Sequence, residues 1–201
     1  MKTPILLLSA VVGLAACSSA PTRYYTLMSP VAEGAAAGVA APGFQFEMAT
    51  VRIPAQVDQP QLVVRQDGGT LAILETQRWS APLVDEFHDA LASQLEVRLG
   101  TRNLEGLPKQ AGRPVLSLQT DVRRFDSLPG RYALIDVVWS LRLRGEGAQA
   151  RSLTCSSQIR QPAGVELEAL VLAHQQAIGQ LAQSIASTAR RWAQVPSTPC
   201  P

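Results

Sequence analysis

Residues Arg78–Gly100, RWSAPLVDEFHDALASQLEVRLG, decide the fold. Leu83, Val84, Phe87, Leu91, Leu95 and Leu99 recur at the 3.6-residue spacing of an amphipathic helix. Ser80 is placed to cap it, and Pro82 is tolerated in a first turn, where its missing N–H costs nothing. Trp79 and Val84 stand at the positions of a hydrophobic staple, and Gly100 ends the run. The segments that flank it on both sides alternate with the period of strands. The helix therefore separates two groups of strands.

Upstream, Phe44, Phe46 and Met48 share one face, and the apolar positions then slip to Val51 and Ile53. One extra residue near Ala49-Thr50, a bulge, accounts for the slip. Gln61–Arg65 and Thr70–Thr76 flank Asp67-Gly68-Gly69 and predict a hairpin. Downstream, Val115–Val122 alternates; Ala133, Ile135, Val137, Trp139, Leu141 and Leu143 line one face of a long strand; Leu153, Cys155, Ser157 and Ile159 line a third. Turns at Pro129-Gly130 and Gly145-Glu146-Gly147 make these an antiparallel meander. A second helix runs from about Val165 to Trp192, its stripe including His174. The order β-β-β-α-β-β-β-α predicts an α+β fold: a mixed, largely antiparallel sheet of about six strands with both helices on one face.

The N-terminus is of another kind. Lys2 precedes an apolar run to Ala16, too short to span a bilayer but suited to a secretory leader. Leu14-Ala15-Ala16-Cys17 resembles the lipobox of bacterial lipoproteins, with small residues beside the scissile bond and a thiol to receive diacylglycerol. Cys17 then carries lipid on sulfur and an acyl chain on its new amino group, and two or more chains make anchoring stable. Ser18, by the same resemblance, favours export to the outer membrane, with the body in the periplasm. The organisation expected is a leader over 1–16, a lipidated N-terminus and Ala/Gly/Pro-rich linker over 17–43, one domain over 44–195 and a Pro-rich tail over 196–201.

Composition narrows the possibilities. Without the leader, 17 basic residues face 16 acidic ones, so no broad positive field exists for nucleic acid. Cys155 and Cys200 are left in an exported chain and are expected to pair, closing a loop of about 45 residues and stabilising by about 4 kcal/mol. That bridge would pin the tail PSTPCP against the sheet.

Signals for chemistry are sparse. The two histidines, His88 and His174, belong to no HExxH pattern, and there is no CxxC, so no metal site is expected. No GxSxG elbow or phosphate-binding glycine loop occurs. His88 with Asp85, Glu86 and Asp89 reads as a solvated helix face. His174 reads as a hydrogen-bonded histidine at the core edge. Asp136 interrupts an apolar strand but lies on the face opposite Trp139. No catalytic residues and no cofactor beyond the lipid of Cys17 are expected, and the chain is not read as an enzyme. Tyr24 and Tyr25 read either as core or edge-strand residues or as a contact surface for headgroups or a partner. If Tyr24–Leu27 docks as an added strand, only Ser18–Arg23 remains as tether, reaching at most about 20 Å.

Four stretches taken together resemble a known family: Tyr24-Tyr25-Thr26-Leu27 after the lipobox, Val51-Arg52-Ile53-Pro54 with Val57–Arg65, Arg78–Leu83, and Val122-Arg123-Arg124-Phe125-Asp126. In order and spacing they are similar to the ABC-type transport auxiliary lipoproteins, the PqiC/YmbA-like (paraquat-inducible) group. Gln59 and Ala81 depart mildly from its pattern. The resemblance implies a non-catalytic lipoprotein of an MCE-type lipid transport system, meeting a periplasmic MCE-domain protein at the outer membrane and forming homo-oligomers. It also nominates Tyr24, Tyr25, Asp58, Arg65, Arg78 and Trp79 for partner docking; turn and staple geometry is the structural alternative. An envelope-scaffolding lipoprotein that binds peptidoglycan or an outer-membrane machine is the competing function.

Overall fold

The computed structural model describes residues 20–30, 40–145 and 148–201; the leader, Cys17 and most of the linker lie outside the described residues. Strand β1 (Arg23–Tyr25) is followed by β2 (Gln45–Arg52), β3 (Gln61–Arg65) and β4 (Leu71–Trp79), then helix α1 (Leu83–Leu99). Strands β5 (Val115–Leu128), β6 (Tyr132–Gly145) and β7 (Ala148–Pro162) lead into helix α2 (Leu167–Gln194). The fold is α+β, with one refinement: the strands form two sheets, ordered β1-β4-β3 and β2-β5-β6-β7.

The split has a physical cause. Strand β2 pairs in parallel with β5, and β1 in parallel with β4, while β3 and β4 form the antiparallel hairpin. Parallel neighbours need long connections. Between β2 and β5 that connection contains the whole β3–β4 hairpin and α1, so the hairpin builds its own sheet. The slip near Ala49-Thr50 is a register shift between Met48 and Val51.

One face of the four-stranded sheet is largely apolar, interrupted by Thr120 and by Ser157, whose hydroxyl accepts from the Trp139 indole. Phe46, Met48, Leu116, Leu118, Ile135, Trp139 and Leu141 are all but fully buried beneath Phe87, Leu91 and Leu95 of α1 and Ile178, Leu181 and Ile185 of α2. Each such side chain stabilises by about 1.5–3 kcal/mol relative to exposure. On the other face, Ser140 is half-buried and Arg142 and Arg144 are exposed. Gly100 caps α1 with φ +65°, a left-handed conformation that favours glycine, and its N–H donates to the Glu96 carbonyl.

The start of α1 differs from the sequence reading. The N-cap position falls at Pro82, not Ser80, with no side-chain cap of its own. Trp79 and Val84 are then out of frame for a staple, and Trp79 instead meets Phe125 edge-on at 6.2 Å. The first turn is supported from afar: Asp58 Oδ1 accepts from the Val84 N–H at 3.3 Å. At the other end of the chain, Cys155 and Cys200 form a disulfide that ties the tail to β7.

Candidate functional site

Two constellations stand out, and both gather around the N-terminal end of α2. The first is a clasp on the segment that follows the tether. Leu27 is a core residue, 1% exposed. Its N–H donates to Glu86 Oε2 at 2.7 Å, and the Thr26 hydroxyl donates to the same oxygen at 2.8 Å. The Ser80 hydroxyl bonds the other carboxylate oxygen. Gln175 Nε2 donates to the Thr26 carbonyl at 3.0 Å, and Arg23 pairs with Glu168 at 3.2 Å. Tyr25 hydrogen-bonds Gln77 at 2.8 Å and reaches Glu168 at 3.3 Å.

Glu86 corrects the reading of the acidic trio as solvation, since it is only 4% exposed. Position 86 follows Leu83 by three and precedes Ala90 by four, so it lies within the apolar stripe. That placement was the available signal. A carboxylate there is tolerable because three donors satisfy it.

The second constellation lies under the β3–β4 hairpin. Asp126 accepts from Arg65 Nη2 at 2.9 Å and from Arg124. Burial alone would raise its pKa, but the two guanidinium groups outweigh that and hold the carboxyl below its ordinary range. Arg65, Arg123, Arg124 and Asp126 line a cleft of about 70 Å³. Beneath it, Phe125 stacks on His174 with centroids 4.1 Å apart, and the Ser127 hydroxyl meets His174 Nε2 at 2.8 Å. His174 is completely buried, well inside the core edge expected for it, and burial pushes its pKa down to about 3. Its Nδ1 makes no hydrogen bond to a described residue. The Ser–His contact therefore lacks the acid that orients a catalytic imidazole. A separation of 47 residues hid this pair from sequence reasoning.

The nominated residues are thus divided. Tyr25, Asp58 and Trp79 are committed to internal contacts, and Arg65 to Asp126. Tyr24 is 66% exposed and lies opposite half-buried Arg78 in the β1–β4 register. His88 bridges Asp89 at 2.9 Å and Glu105 at 2.7 Å; burial opposes its charging, but the two carboxylates raise its pKa. Among the described residues no cluster of three or more potential metal ligands occurs. No described helix is long and apolar enough to cross a membrane.

Fold and site together define a small α+β domain clasped onto its own N-terminal strand. Residues 25–186 match the model of the ABC-type transport auxiliary lipoprotein component, and the chain belongs to that family. Membership implies a membrane-anchored protein of the cell envelope. No curated protein matches at a significant level. One solved structure, of an uncharacterised protein, is similar with TM-score 0.58 at 15% identity, covering 84% of this chain and 98% of its own. A Xanthomonas campestris protein gives TM-score 0.57 at 18% identity, covering 88% and 100%. At such identities the likeness concerns the fold alone.

Proposed function

We propose that this chain is a non-catalytic outer-membrane lipoprotein, anchored through Cys17, that docks a periplasmic MCE-type lipid-transport assembly at the membrane. The observation that carries this reading is the clasp. The segment just after the anchor is built into the body through β1 and the buried Glu86, which supports a domain kept within about 20 Å of the bilayer. A docking subunit gains from that, because a domain already held near the membrane loses less freedom when a partner binds it. Family membership supports the transport role. The internal placement of Ser127 and His174 supports the non-catalytic one. Tyr24 on the edge strand β1 and Arg78 opposite it on β4, both outside the core, form the contact we assign to the MCE-domain protein.

Crosslinking in the native envelope, followed by purification in mild detergent, tests the reading. Co-recovery of an MCE-domain protein is expected, with loss on Arg78→Ala while the melting profile is retained; the mass of the recovered complex reads the copy number. Recovery of only peptidoglycan-linked or unrelated outer-membrane proteins would replace it with the scaffolding function.

A further inference from the structure

We infer that the β3–β4 hairpin is a membrane-contacting finger, laying Leu71 and Ile73 on the phospholipid surface that carries the anchor. The inference rests on the anchoring at Cys17 proposed above and adds a second contact to it. Because β1 is parallel to β4, its N-terminal end looks back along β4 toward Leu71. Arg23 lies opposite Gln77, and Leu71 is six residues before Gln77. At strand rise that is about 20 Å of hairpin extending past Arg23. Cys17 also precedes Arg23 by six residues, which span at most about 20 Å. A tether no longer than the hairpin keeps a hairpin that points the same way within reach of the bilayer.

The surface of the hairpin suits that position. Leu71 and Ile73, alternate residues on one face of β4, are 42% and 49% exposed. The opposite face carries Ala72 and Leu74, which pack inward with Leu170 and Ala173 of α2. Glu75, the next residue on the outward face, is exposed and charged, so the apolar stretch ends there. Arg65 lies directly across from Leu71 and shares its cleft with Arg123 and Arg124; Asp126 pairs with Arg65 and Arg124 and Asp121 with Arg123, so three guanidinium groups face two carboxylates there. An apolar pair bordered by guanidinium groups matches acyl chains beneath phosphate headgroups. Asp67 occupies the turn, so contact is made by the hairpin's side.

The test uses the lipidated full chain, with its disulfide intact, in vesicles of phosphatidylethanolamine and phosphatidylglycerol. A polarity-sensitive dye is placed on Ile73→Cys and, separately, on Leu107→Cys. Leu107 is also exposed, at 56%, but lies in the loop beside Phe46, at the far end of β5 from Ser127. The expected result is a blue-shifted emission at position 73, quenched at least twofold more by a headgroup-borne quencher than the dye at position 107. A chain that floats with the vesicles while both dyes remain equally water-exposed overturns the finger and leaves the anchor standing. A chain that does not float overturns the anchoring, and the finger with it.

Discussion

The two ends of α2 are secured in opposite ways. At its N-terminal end, Arg23, Tyr25 and Thr26 are held by Glu168, Gln77, Glu86 and Gln175, all through polar side chains. At its C-terminal end the Cys155–Cys200 bond closes the tail, and the Arg151 guanidinium lies 5.0 Å from the Trp192 ring centroid. Arg190 adds donors to the Arg98 and Leu99 carbonyls that end α1. One end is covalent and insensitive to pH. The other depends on a buried carboxylate and its donors, and it is the end that receives the tether.

The contrast can be broken most strongly at the covalent end. Cys155→Ser with Cys200→Ser opens a loop of 45 residues and should lower unfolding free energy by up to about 4 kcal/mol in urea titration. Hydrogen exchange at Leu27 should be less affected than exchange in β7. Glu86→Ala does the reverse. It strands the buried Leu27 N–H and should cost about 3 kcal/mol, with exchange of Tyr25 and Leu27 accelerated before that of β7. Equal acceleration at both ends would mean that the two are not independent.

Acidity should sharpen the difference further. His174 is neutral in the folded protein, its pKa lowered by burial from 6.5 to about 3. The stability it contributes is complete above pH 6.5, declines as pH falls below that by about 1.4 kcal/mol per unit, and is exhausted once pH passes about 3. Unfolding free energy should thus drop by about 2 kcal/mol between pH 6.5 and 5, and His174→Gln should flatten that slope. The smallest effect belongs to His88, whose raised pKa reverses the sign: its contribution is complete below the ordinary histidine value and is lost as pH rises through the folded value. With half-exposed partners it amounts to less than about 1 kcal/mol, measurable as the difference between the chain and His88→Gln from pH 6 to 8.

Much of the fold was legible because it is written in local period. The stripe Leu83, Phe87, Leu91, Leu95, Leu99 specifies a helix wherever it packs, and the face from Ala133 to Leu143 specifies a strand. Even the bulge before Val51 shows as a break in alternation. The site was far less legible. Arg65, Asp58 and Trp79 were nominated through a resemblance, but their contacts to Asp126, Val84 and Phe125 span large gaps in sequence. Glu86 was hidden by its acidic neighbours Asp85 and Asp89, which do face outward.

Sequence alone determined the succession of elements, because each residue's face in a helix or strand depends only on neighbours a few positions away. Only tertiary structure decided that β2 and β5 pair in parallel, that the hairpin forms a separate sheet, and that Glu86 closes on Leu27. Those choices turn on which distant surfaces meet after loop closure, such as Arg23 with Glu168 across 145 residues, and no local period records them.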